Sequence, residues 1–280
     1  MHPWAWHPHP DVWLLVAPLG GGYGLALHRL GPRHTAPGER AATRGQVAAF
    51  SLGLFTLWAA ADWPIHDLAE RYLYSVHMTQ HLLFSLVVPP LLLLGTPAWM
   101  ARELLAPPVL FRSVSRLARP LPALALFNAV VVLTHWPSLV DVTLRVQGVH
   151  FLAHAALFLS ALVMWCPVVA PLPELRLLSP PGQMLYLFLQ SIVPTVPASF
   201  LVFAERPIYH FYEKVPRLWG LSAVEDQRIG GLLMKLAGGF LLWAIIAVLF
   251  FKWHAQEEKS ETQARRWRDL ERELDGMRWS

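Results

Sequence analysis

Charge is scarce in this chain. Only 15% of its 280 residues are Asp, Glu, Lys or Arg, against 55% hydrophobic, too little to cover the surface of a soluble domain of that size. Cysteine is scarcer still: the single Cys166 forms no internal disulfide, and without C-x-x-C there is neither a thiol redox pair nor a thiolate metal site. Soft sulfur ligands must therefore come from methionine. The patterns G-x-x-x-x-G-K-[ST], G-x-G-x-x-G and G-x-S-x-G are all missing, which removes the usual carriers of nucleotide-driven work and serine hydrolysis. No low-complexity segment occurs. The formal charge of +4 does not point to nucleic acid, because the basic residues are spread among short loops between apolar runs.

What the chain has is apolar length. Its mean hydropathy is +0.39, and apolar runs lie near residues 12–30, 45–63, 72–95, 120–136, 147–170, 182–204 and 229–253. A span needs about 20 apolar residues to cross a bilayer, so these runs predict an all-α, polytopic membrane protein, a seven-transmembrane-helix bundle. Its parts are a tail over 1–11, the membrane domain over 12–253 and a charged tail over 254–280. The first run is glycine-rich, and Asp11 stands where a signal peptide would be basic, so it is expected to remain uncleaved.

Orientation follows from the basic residues. Sixteen Lys and Arg fall on one side of the seven runs, seven of them from Lys252 onward, and six on the other, with Lys235 inside the last run. The positive-inside rule then puts the N-terminus outside and the C-terminus in the cytoplasm. The outer connections 137–146 and 205–228 mix aromatic, Pro and charged residues, a composition suited to a structured interfacial cap. In the tail, Trp267, Leu270, Leu274 and Met277 form one short stripe at heptad spacing, either a surface helix or a docking helix.

Thirteen histidines are many for such a protein, and their spacing is informative. His77 and His81 stand at i, i+4 in the third run, about 6 Å apart along one helix face; His150 and His154 repeat that spacing in the fifth. His135 closes the intervening fourth run. With alternating spans, all five fall at one outer level. Ionisable groups inside a bilayer face the bundle interior or a water-filled cavity, and neutral imidazole suits Cu, Zn, Fe and Ni. A metal site, with haem b as the alternative, is set against five separately hydrogen-bonded histidines.

Accessory candidates surround this level. Asp62 and His66 end the second run, as an interfacial cap or as further ligands. Met78 and Met234 offer thioethers that suit Cu(I), or simply fill the core. Glu225, Asp226 and Gln227 occupy a first helical turn, as caps or as a polar lid over the histidines. His2, His7 and His9 in the amino-terminal tail could catch metal transiently. Pro194 and Pro197 should bend the sixth span.

The segments HMTQHLLFSLVVPPLLLLGTP (77–97), THWPSLVDVTLR (134–145), GVHFLAHAALFLSALVMWCPVV (148–169) and PRLWGLSAVEDQRIGGLLM (216–234) resemble the CtaG family of polytopic bacterial cytochrome c oxidase assembly factors. The resemblance runs from about residue 46 to 253. It implies a seven-helix bundle that assists maturation of a haem-copper oxidase through copper handling. His77, His81, His135, His150 and His154 match the family's His motifs, while Lys235 departs from the aromatic residue expected after Met234. The sequence thus predicts a non-enzymatic assembly factor that binds copper at an outward-facing His cluster. Its expected partners are haem-copper oxidase subunits and periplasmic copper chaperones. The rival readings are a b-type haem electron carrier, a metal transporter and a scaffold with structural histidines.

Overall fold

The structure, a computed structural model, describes residues 4 and 6–278, the side chains of 269 and 273–278 excepted. His2 and Ser280 lie outside the described residues, as do the side chains of Leu274 and Met277 in the tail stripe.

The described residues form helices joined by loops, with no strand among them. Helix α1 is Pro10–Arg29, α2 Arg44–Ala61 and α3 Ile65–Arg71. Helix α4 is Tyr74–Gly95, followed by α5 (Ala98–Leu104), α6 (Pro108–Leu117) and α7 (Pro120–Thr134). Then come α8 (Pro137–Thr143) and α9 (Gln147–Val169), α10 (Pro180–Phe203) and α11 (His210–Lys214). The last, α12, starts as Ala223–Leu232, passes a π-helical turn at Leu233–Ala237 and runs on as Gly238–Arg278.

Four of these, α4, α9, α10 and α12, are long and apolar enough to cross a membrane. The bent pairs α2 with α3 (40°) and α6 with α7 (79°) bring the number to as many as six. Helix α1 has span length at 20 residues, but Pro18 and its glycines dilute its apolar character. Large apolar side chains face outward along the helices, Leu121 and Phe203 each 77% exposed and Phe240 71%. Without lipid such a surface would aggregate. The protein is a multi-pass membrane protein.

Local chemistry explains the helix ends. Thr43 starts α2 and Ser222 starts α12, each by a capping box in which the residue three positions on, Gln46 or Glu225, returns a side-chain bond to the cap backbone. Helix α4 has no such residue of its own. Its first N–H groups, Tyr74 and Ser75, donate at 2.7 and 3.1 Å to the two carboxylate oxygens of Asp226 on α12. A buried carboxylate thus serves as the cap and complements the helix dipole from a helix far away in sequence. Gly230, one turn on, admits this approach, since a Cβ there would sit 2.6 Å from the Tyr74 ring.

Two prolines reshape α4. Pro89 has no N–H to give the carbonyl four residues earlier, and that carbonyl, Ser85 O, accepts instead from Trp165 Nε1 on α9 at 2.9 Å. The helix widens into a π turn at Leu83–Val87, close to the equivalent turn of α12. Helix α10 breaks between Ile192 and Thr195, the bend expected from Pro194 and Pro197. At one end of the bundle, α8 and α11 form a cap: Phe211 N donates to Asp141 Oδ1 at 3.1 Å, and Tyr212 and Tyr209 donate to the carbonyls of Ala69 and His135 at 2.7 and 3.1 Å. The connections 137–146 and 205–228 have the structured character their composition predicts. In the carboxy-terminal tail, the helix continues with Trp267 and Leu270 exposed, at 67% and 48%.

Candidate metal centre

Helices α4 and α9 lie side by side and turn their H-x-x-x-H faces toward each other. The ring centroids of His77 lie 4.5 Å from those of His81, 5.7 Å from His150 and 5.4 Å from His154; His150 and His154 are 4.2 Å apart. His77, His81 and His150 are buried and His154 nearly so. Two nitrogen contacts define the centre. His154 Nε2 lies 3.1 Å from His81 Nε2 and 3.2 Å from His150 Nε2.

The partners of the other ring nitrogens decide which of these carry protons. His150 Nδ1 sits in tight contact with Glu70 Oε1; a carboxylate only accepts, so Nδ1 is the N–H and neutral His150 presents a bare lone pair at Nε2. His66 Nε2 also donates to Glu70 Oε1, at 3.1 Å, and Gln80 Nε2 faces His66 Nδ1 at 3.4 Å while donating to Ala60 O at 2.6 Å. Glu70 thereby fixes two imidazoles at once. His154 Nε2 holds one proton or one lone pair, so with neutral imidazoles at most one of its two nitrogen contacts is a full two-centre hydrogen bond. The other presses two lone pairs, or an unshared proton, into a buried space. A cation drawing all the lone pairs resolves the conflict. In a tetrahedral site with metal–nitrogen bonds of 2.0–2.1 Å the ligand nitrogens stand about 3.3 Å apart, close to the two contacts that His154 makes.

His77 adds to the same centre. One ligand nitrogen each from His77, His81 and His154 lies within 4.8 Å of the others. The Nδ1 atoms of His77 and His81 are buried with no hydrogen-bond partner, which is costly unless something else satisfies them. The donor set fits a borderline or soft cation well.

Of the five histidines expected at one level, four form this group, and His135 touches it only through His81, at a centroid distance of 5.4 Å. His135 ends α7 and faces a separate cavity. Met78 and Met234 line that cavity as well.

Asp62 is fully engaged elsewhere. Trp13 and Trp58 donate their indole N–H to its Oδ2 at 2.7 and 2.9 Å, and Trp63 N donates to Oδ1 at 2.8 Å. Asp226 caps α4 as described. Gln227 ties α12 to neighbouring backbone, accepting from Ile208 N at 2.6 Å and donating to Leu201 O at 3.1 Å. Both position the helices around the histidines rather than cover them as a lid. His66 joins through Glu70, and the tail follows it: His9 stacks edge-on against His66 at 4.7 Å and reaches Asp67 at 3.3 Å, with His7 3.5 Å from the same carboxylate.

Glu70 is the residue that sequence reasoning passes over. It sits in IHDLAER, which reads as an interfacial connector; its four-residue spacing from His66 is the signal that marks it.

Uncharacterized proteins of Mycobacterium bovis and Mycobacterium tuberculosis are each 25% identical over 206 residues, covering 67% of this chain and 31% of theirs. The chain thus spans about a third of the length of these curated relatives. No solved structure matches it. The sequence profile of the cytochrome c oxidase caa3 assembly factor family (Caa3_CtaG) matches residues 21–256, and the chain belongs to that family.

Proposed function

We propose that the chain binds copper as cargo at the His77, His81, His150 and His154 cluster and assists metallation of a haem-copper oxidase, without turning over a substrate itself. The observation that carries this reading is the convergence of the His81 and His150 Nε2 atoms, at 3.1 and 3.2 Å, on that of His154, two contacts that a single proton serves only in part. Imidazole ligands suit copper, and the family supplies the oxidase. The haem alternative is less well supported: a porphyrin needs two imidazoles facing across a flat macrocycle, and these rings pack at 4.2 to 5.7 Å on one another.

The same reading takes seven spans, α1 included, in the bacterial inner membrane. The N-terminus is outside and the C-terminus in the cytoplasm, a reading supported by the sixteen-to-six division of basic residues. The histidine end of the bundle then faces outward, within reach of a periplasmic copper chaperone and of the oxidase. A periplasmic reporter should be active in the 205–228 connection and silent at the carboxy terminus; the reverse pattern would turn the cluster toward the cytoplasm.

Elemental analysis and an absorption spectrum of one detergent-purified sample test the metal directly. Copper retained by the wild type and lost on His154→Ala is expected. A Soret band without copper would replace this reading with the haem carrier.

A further inference from the structure

We propose a second, softer metal station in the cavity beneath His81, holding a monovalent d10 cation such as Cu(I) between His135 Nε2 and the thioethers of Met78 and Met234. It rests on the reading of the imidazole cluster as a copper site, which would be the first station on the same route.

His135 is the starting observation. Its Nδ1 lies 2.7 Å from Val131 O, and a carbonyl can only accept, so Nδ1 carries the proton and the neutral ring presents a lone pair at Nε2. That nitrogen is buried without any hydrogen-bond partner on a side chain only 7% exposed. An N–H held by a backbone carbonyl, with the opposite nitrogen left free, is how metal-binding imidazoles are commonly oriented.

What His135 faces is the second observation. A cavity of about 50 Å³ is bounded by His135, His81, Met78, Met164 and Met234, with apolar walls including Phe127 and Leu157. The volume exceeds what one water requires. The other polar side chains on its wall have partners: Gln190 accepts from Asn128 at 2.7 Å and donates to Tyr186 at 3.0 Å, and Ser85 Oγ donates to His81 O at 2.5 Å. The unsatisfied ring nitrogens on this wall are His135 Nε2 and His81 Nδ1.

His81 is the shared wall. Its Nε2 belongs to the imidazole cluster, so when that atom ligates an ion its Nδ1 carries the proton and the lower station draws on His135 and sulfur. Met78 of α4 and Met234 of α12, on the wall of one apolar cavity, supply the polarizable thioethers that Cu(I) favours over harder ions. The π turns of α4 and α12 place Ser85, Leu86 and Met234 on this wall, and such turns recur at functional sites. The two stations thus differ in chemistry: imidazole above, thioether with one imidazole below.

The test uses the full chain in detergent carrying Cys166→Ala. Cys166 packs in a separate cluster with Ala101 and Leu172, and its removal leaves methionine as the source of sulfur. Anaerobic loading with Cu(I) should give two ions per chain and a sulfur shell in copper X-ray absorption. Met78→Leu with Met234→Leu, which conserves volume, should drop the ratio to one and remove the sulfur shell, while one Zn(II) still binds per chain. His135→Ala should also drop it to one. If the parent binds one Cu(I) with nitrogen scatterers alone, or keeps two ions in both variants, the second station is wrong and the cavity holds water. Absence of any bound copper in the parent would overturn the imidazole cluster as well.

Discussion

Helices α4 and α9 carry the same H-x-x-x-H spacing, yet they are held by opposite means. On α9 the side chain is fixed: Glu70 takes the Nδ1 proton of His150 and leaves its Nε2 aimed at His154. On α4 the backbone is fixed, by Asp226 at the helix start and by the exchange of a Pro89 bond for one from Trp165. The Nδ1 atoms of His77 and His81 have no partner. Helix α9 therefore offers an oriented lone pair at His150, and α4 offers rings whose spare nitrogen is uncommitted. Spacing brings imidazoles to a common face, but a third residue decides which nitrogen each one presents.

The largest effect should come from releasing α4. Asp226→Ala leaves two buried N–H groups without an acceptor, a loss on the order of 3 to 5 kcal/mol. It should be read as a marked drop in the thermal midpoint of the detergent-solubilised protein. Asp226→Asn, which keeps one acceptor, should lose less.

Next in size is removal of the shared nitrogen. His154→Ala and His81→Ala should each lose most bound metal, and the double variant little more, because ligands of one ion are not additive. Independent halves would split the cluster into two sites and dissolve the comparison. Glu70→Ala should be milder, lowering affinity about 10- to 100-fold with stoichiometry retained. An unchanged affinity would mean that the orientation of α9 does not matter.

Acidification should act on both helices together. A ligating imidazole must be unprotonated, because protons compete with the metal for the same lone pair. Apparent affinity should therefore fall as the medium is acidified and recover on neutralisation, followed by equilibrium dialysis. The smallest effect is expected for Asp62→Asn, whose partners Trp13, Trp58 and Trp63 lie apart from the cluster: metal content should stay within error of wild type.

Much of this was legible in the order of residues. The apolar runs at 72–95, 147–170, 182–204 and 229–253 coincide with α4, α9, α10 and α12, because a 20-residue apolar stretch has few alternatives to a helix. The meeting of His77 and His81 with His150 and His154 followed from equal spacing on neighbouring spans. Three features were not readable. Asp226 looks like an ordinary first-turn acid of its own helix, and only the packing of α12 against α4 shows whose N–H groups it receives. Glu70 lies in a seven-residue helix after the bend that follows Ala61, so its position against α9 is a tertiary fact. His135 shares a level with the other histidines along the chain, but the end of α7 places it against the cavity, one ring removed from the cluster.

The central claim is that copper held at the imidazole cluster reaches an oxidase. The most direct measurement is the copper content of cytochrome c oxidase purified from cells whose only copy of this gene carries His154→Ala, compared with wild type and with the deletion. Oxidase polypeptides present in normal amount but poor in copper, to the same degree as in the deletion and partly restored by added copper, are predicted. A full copper complement in the His154→Ala strain would contradict the account.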